Sequence, residues 1–355
     1  MTQQRLDSVD ALRGLTVAAM LLVNTPGDWG HVYAPLRHAE WHGCTPTDLI
    51  FPFFLFVVGV SIALGMVPKA ESGFDIGALR RWILRRAVRI VALGLALHLV
   101  AWVLLDQDAF RPWGVLQRIG LCFAACGLIA LRTRASTQWA VIAVLLIGYW
   151  MLLETTGGVA PWSNLASRID VAMLGPHAYL FDPASGRGHD PEGLLSTLPA
   201  IATTVLGLRA GAWLRSGDIA RLAVAGVMLV VAGWTWSLVF PLNKTLWTSS
   251  YVSWTGGWAM LALVVAHVLI DRRGWPAVGR SLGINAIVVY VGAALVVYVF
   301  AWVGLMEPIY RGLFAGWMTP RFGPYLPSLA FAVAFTACWW VVAWWMQRRG
   351  WRFTI

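Results

Sequence analysis

Charge is what this sequence has least of. Asp, Glu, Lys and Arg make up 12% of its 355 residues, where a water-soluble chain carries about 25%. So few charges cannot cover a surface that faces water, which excludes a soluble enzyme, a nucleic-acid-binding module and a disordered chain. Cysteine is almost as scarce: Cys122, Cys126 and Cys338 fall in apolar stretches and Cys44 stands alone in a polar one. They provide no disulfide framework, and a Cys pair four apart on a helix reads as packing, so no metal site is expected. Phosphate-loop, dinucleotide, zinc-hydrolase and nucleophile-elbow motifs are missing from any suitable context. A cleaved leader is not expected either. Residues 1–26 carry Arg5, Asp7, Asp10 and Arg13, then an apolar run that ends at Asn24 without a small-x-small cleavage site. No internal repeat is visible.

What the chain has is hydrocarbon and tryptophan. Hydrophobic residues reach 59%, and there are 22 Trp against eight Tyr; the mean hydropathy is +0.67. Trp concentrates where a membrane meets water. A helix crossing a hydrocarbon core of roughly 30 Å needs about 20 apolar residues. By that ruler ten spans are predicted, at 10–26, 48–67, 82–105, 115–131, 138–154, 196–214, 219–240, 248–270, 281–303 and 327–346. Segment 308–318 is too short to span and reads as an interfacial helix.

The net charge of +10 then becomes a topology signal. With the N-terminus in the cytoplasm, 17 of the 27 Lys and Arg fall on inner ends and loops, from Arg5 to Arg352, and seven on outer loops. Arg13, Arg118 and Arg209 remain inside or at the edge of spans. Positive charge favours the inner side, so both termini are expected in the cytoplasm and no nucleic acid is expected as a partner. The long outer loop at about 155–195 carries Asp170, Asp182, Asp190 and Glu192.

Polar groups within a bilayer mark functional sites by default, and here they gather at span ends. On the outer side, Asn24 ends the first span, Asp48 opens the second, Arg118 lies just inside the fourth, and Asn243 with Lys244 follows the seventh. Between the first two spans, the polar loop from Gly27 to Thr47 holds His31, His38 and His42. On the inner side, Asp10 and Arg13 are one turn apart and able to pair. Asn285 lies about a turn into the ninth span, and Arg80, Arg81, Arg85, Arg86 and Arg89 line the start of the third. Such an Arg cluster reads first as headgroup anchoring, although Arg also binds phosphates bidentately.

A set of motifs in order along the chain gives a sharper reading. Ser8, Asp10, Arg13 and Gly14 are followed by Val23 and Asn24. His38, Ala39, Trp41 and Gly43 come next, then Asp48, Leu49, Phe51, Pro52 and Phe53. Further on stand GVLQRIG at 114–120, IDVAMLGPHAY at 169–179, DPEGLLST at 190–197, PLNKTLWTSSYV at 241–252 and LGINAIVVYV at 282–291. This pattern resembles the heparan-α-glucosaminide N-acetyltransferase family of transmembrane acyltransferases. The likeness is greatest to bacterial members, which lack the luminal domain and first span of the animal enzyme. Two departures bear on the acceptor pocket: His42 stands where the family often has Asn, and the segment between Asn24 and His38 is longer than in the animal enzyme.

The resemblance implies an all-α polytopic membrane protein, with residues 1–355 forming one transmembrane acyltransferase domain in a bacterial inner membrane, as a homodimer in one form. It implies transfer of the acetyl group of cytosolic acetyl-CoA to an amino sugar on the periplasmic side, with no metal. His38 matches the catalytic histidine. It would act as a base in a ternary complex, the form favoured here because donor and acceptor enter from opposite sides, or as a nucleophile through an acetyl-imidazole. Asn24 matches the active-site asparagine, and Asp48 is placed to orient His38 or the acceptor. Arg118, Asp190 and Glu192 are candidates for acceptor binding or for a buried ion-pair network. Asn243, Lys244 and Trp247 are added as acceptor contacts, with Trp41 and Trp247 able to stack on a sugar in a chain where most Trp anchor the interface. Arg13 and Asn285 are the candidates for the CoA site. The alternative function is secondary transport of N-acetylglucosamine or a related sugar, whose binding groups would be expected near the midplane on broken helices.

Overall fold

Hydrocarbon offers no partner for backbone N–H and C=O groups, so an apolar run long enough to cross must bond to itself as a helix. The computed structural model describes residues 6–353, so Arg5 of the inner basic set lies outside the described residues. Ten long helices coincide with the ten apolar runs. They are α1 (Asp7–Asn24), α2 (Ile50–Gly65), α3 (Ile76–Leu104), α4 (Val115–Arg132) and α5 (Ala135–Thr155). Then follow α6 (Thr197–Ser216), α7 (Ile219–Ser237), α8 (Ser249–Ala266), α9 (Ala286–Trp302) and α10 (Tyr325–Arg348). The chain is a multi-pass helical membrane protein.

Length and apolarity alone single out seven of the described helices as able to cross a membrane, or eight if α9 and the segment Met306–Phe322 form one broken span. The two that fall outside are α1 and α6. Their sequences differ from a lipid-facing span for a physical reason. Most of α6 is buried inside the protein, whereas α7 buries only Ile219, Leu222, Gly226 and Gly233. A helix walled by other helices can carry Thr203, Thr204 and Arg209; one bathed in lipid cannot. In α1, Asp10 and Arg13 form the expected pair at 3.2 Å.

The core is centred on α2 against α6, where small residues let the backbones touch. A Cβ placed on Gly59 would collide with the carbonyl oxygen of Thr204, and one on Gly207 with that of Phe56. Segment 308–318 lies within Met306–Phe322, which turns by 101° from α9. That is the geometry of a segment lying across a helix end. The long outer loop is itself structured, with a helix at Leu165–Leu174 and an antiparallel hairpin of β1 (Leu180–Asp182) and β2 (Arg187–His189), paired Leu180 to His189.

Candidate functional site

At the end of the bundle where α2 begins, Asp48 closes a short turn, Pro46–Leu49, that leads into α2. The turn is a capping box. One carboxylate oxygen, Oδ2, accepts the backbone N–H of Thr45 at 2.9 Å, the Thr45 hydroxyl at 3.0 Å and the N–H of Ala39 at 3.1 Å. The other oxygen, Oδ1, stands 2.6 Å from His38 Nδ1. Asp48 is fully buried while the His38 side chain is 47% exposed. A carboxylate on Nδ1 favours the tautomer with its proton there and leaves Nε2 as the acceptor on the open side. Lys244 Nζ is 3.2 Å from that Nε2, and the backbone N–H of Gly43 donates to Leu242 O at 2.8 Å, tying the two loops together. Asn24, at the end of α1, is exposed, and its side-chain amide bonds no other described residue.

Behind this pair lies a network of buried charge. Arg111 holds Asp190 Oδ1 at 2.6 Å and Glu192 Oε2 at 2.7 Å, so those two carboxylates form the ion-pair network and are already bound. Arg111 itself was not singled out by sequence reasoning, because a loop Arg looks the same whether it faces water or two carboxylates. Burial opposes the charge on Glu192, but Arg111, Lys244 and Arg118 together keep it below the usual carboxylate range. Desolvation pushes the Lys244 ammonium down, helped by Arg118 and resisted by Glu192 and Asp48. Burial likewise raises Asp170 to about 6, with the charge of Asp190 adding to it and backbone N–H donors of Leu194 and Asp190 opposing it.

Arg118 is fully buried, donates to Gly193 O at 3.0 Å, and lies 5.1 Å from the centre of the Trp247 ring. Trp247 is equally buried and donates to Thr203 Oγ1 at 3.0 Å. It offers no open face to a sugar and serves here as the platform for Arg118. Asn243 organises the turn before α8, its Oδ1 accepting Leu246 N–H at 2.8 Å, while its Nδ2 is buried without a partner among the described residues.

The opposite end of the bundle holds a cavity of about 830 Å³, within the range of small-molecule sites. Arg13, Lys69, Arg86 and Arg352 put four cations on its wall, and its apolar depth reaches Phe54 and Ile119. Arg13 bonds Gly283 O at 3.0 Å and Ser61 Oγ at 2.9 Å as well as Asp10. Of the five Arg at the start of α3, only Arg86 lines the cavity, stacked 5.3 Å from Trp82 and 5.2 Å from Phe123. Asn285 is not on the wall. Its amide clamps the tail, donating to Trp351 O at 3.1 Å and accepting Phe353 N–H at 3.0 Å, which sets Arg352 and Phe353 beside the cavity. Phe54 lies six residues beyond Asp48, roughly 9 Å at 1.5 Å per residue, and Ile119 follows Arg118. The cavity thus ends less than two turns short of the His38 site.

These features define a polytopic membrane protein with an Asp–His pair at one end and a cation-lined cavity at the other. Residues 5–226 match the family described as heparan-alpha-glucosaminide N-acetyltransferase, catalytic, and the chain belongs to that family. It is 30% identical over 352 residues to human heparan-alpha-glucosaminide N-acetyltransferase, covering 81% of this chain and 52% of the human protein. The mouse protein of the same name is 28% identical over 351 residues, covering 81% of this chain and 53% of its own. The chain spans about half the length of these relatives.

Proposed function

We propose that this chain is a transmembrane acetyltransferase that moves the acetyl group of cytosolic acetyl-CoA to the amine of a glucosamine-type sugar on the far side of a bacterial inner membrane. The observation that carries this reading is the cluster of Asp48, His38 and Lys244, with Asp48 on His38 Nδ1 and Lys244 Nζ 3.2 Å from Nε2. Acyl transfer to an amine needs a base for the amine proton and donors for the developing oxyanion. As the amine nitrogen bonds the thioester carbonyl carbon, His38 Nε2 takes its proton. Asp48 holds the tautomer and stabilises the imidazolium. When the carbon–sulfur bond breaks, His38 returns that proton to the departing sulfur. Asn24, exposed and unpartnered, supplies an amide N–H for the carbonyl oxygen. Lys244, eased toward its neutral form by desolvation, can take the further proton of an incoming ammonium.

The cavity fits the donor in kind: cations for phosphates near the tail, and an apolar depth leading toward the His38 end. Arg13 and Arg86 are its proposed anionic contacts, and Asn285 acts through the tail. The test is purified protein in detergent with radiolabelled acetyl-CoA and a panel of amino sugars and their short oligomers, beside His38→Ala. Labelled product that disappears in the variant is expected. No product with any acceptor, together with sugar uptake into proteoliposomes, would favour transport. Protein labelled by acetyl-CoA alone would replace the ternary complex by an acetyl-His route.

A further inference from the structure

Three aromatic rings meet beside the His38 loop and take no part in the chemistry above. His189, on β2, is 8% exposed. Its ring centre lies 4.8 Å from that of Trp162, with planes at 60°, and 5.5 Å from that of Trp41, at 76°. No group among the described residues hydrogen-bonds the imidazole, and Nδ1 is buried without a partner. An enclosed polar atom left unbonded is costly and calls for an explanation. Desolvation holds His189 below its ordinary pKa, against Asp190 and Glu192, so near neutrality the ring is uncharged and aromatic.

Trp162 adds a second, independent anomaly. It is one of three non-glycine residues in the left-handed region among the described residues, with φ +64°, and is still 38% exposed. Strained backbone of this kind clusters at ligand clamps, where surrounding structure enforces it. The Ser163 N–H donates to Pro161 O at 2.8 Å, closing a tight turn around Trp162. Trp41 donates to Val159 O at 2.9 Å, tying the 155–163 loop to the loop that carries His38. Trp41 is three residues after His38, and His189 directly precedes Asp190 of the Arg111 network. Three loops therefore bring an aromatic surface next to the reacting histidine.

We propose that Trp41, Trp162 and His189 form a subsite for the sugar ring adjoining the one that is acetylated, so that the preferred acceptor is an amino-sugar oligomer. The proposal rests on acetyl transfer at His38. The C–H face of a pyranose is apolar and slightly positive, and packs on the negative face of an indole. The imidazole, packed edge-on against both indoles, backs that surface.

The test compares glucosamine with its β-1,4-linked dimer as acceptors, by kcat/KM with radiolabelled acetyl-CoA and by calorimetric binding to the protein in detergent. Trp162→Gly removes the ring at a backbone position glycine accepts freely, and Trp162→Phe keeps an aromatic face. The wild type should prefer the dimer by about three- to tenfold. Trp162→Gly should bring the dimer down to the value of glucosamine, and Trp162→Phe should restore most of the preference. Equal handling of both acceptors by the wild type, or a loss in Trp162→Gly shared equally by both, overturns the subsite. If neither acceptor is acetylated, the reading of His38 fails, and binding still decides this one. Tighter binding of the dimer that Trp162→Gly abolishes supports the subsite, and equal binding removes it.

Discussion

Asp48 divides its two oxygens between a turn and a histidine. Oδ2 closes the turn that starts α2, and Oδ1 faces His38. Asp48 is thus both a capping residue and the partner of His38, which spacing alone does not reveal. Asn at this position keeps one oxygen for the cap but turns an N–H₂ toward Nδ1, forcing the proton onto Nε2. Asp48→Asn is expected to lower kcat on the order of 10³-fold or more while leaving the thermal midpoint within a few degrees. Activity within tenfold of wild type would remove Asp48 from the mechanism. At this scale the motifs made the pairing of His38 with Asp48 legible, because both residues sit in short runs. Arg111, Arg86 and Trp162 were not. Each gains its place from a neighbour far along the chain: Asp190 for Arg111, Phe123 for Arg86, and His189 for Trp162.

Among elements, α2 on α6 is a joint of backbone against backbone. Gly207→Ala should destabilise the protein by about 1–3 kcal/mol, since a close-packed joint has no room for the methyl group. Gly148→Ala, in α5 where a Cβ would meet nothing within 4 Å, should be neutral or stabilising, as alanine is about 1 kcal/mol the better helix former. Thermal unfolding in detergent compares the two, and equal losses would argue against the joint. The outer loop makes a separate prediction. Asp170, raised to about 6 from an ordinary value near 3.9, binds its proton more tightly folded than unfolded. Its contribution is thus fully present below about pH 4 and lost as pH rises through about 6. Acidifying from pH 7.5 to 5 should favour the fold of the wild type by about 1 kcal/mol relative to Asp170→Asn. The same pH dependence in both proteins would exclude Asp170 as the source. Hydropathy located all ten long helices, yet α1 and α6 are not apolar enough to pass as spans alone. Their surroundings are protein, and sequence periodicity does not state what a helix will lie against.

For the whole molecule, the arrangement is two sites on one axis, the cavity opening beside the tail and His38 at the far end. The basic residues predict which end faces the cytoplasm. Inverted bacterial membrane vesicles supplied with external acetyl-CoA and loaded with amino sugar should acetylate the enclosed acceptor, and right-side-out vesicles should not unless loaded with acetyl-CoA. The opposite result would reverse the orientation. The cavity itself was not legible in the sequence. Its wall is assembled from α1, α2, α3, α4, the start of α9 and the tail, and of its four cations only Arg13 stood apart from headgroup anchors before the helices were packed.

The short stretch of closed structure between Phe54 and Asp48 has a consequence for permeability. The cavity stops there, and the His38 site begins beyond it. A pore joining the two would short-circuit any ion gradient the membrane holds. Between them stand the buried side chains of Phe51 and Leu55, whose apolar surface opposes the passage of ions and past which the thioester end of the donor would have to reach in the proposed ternary complex.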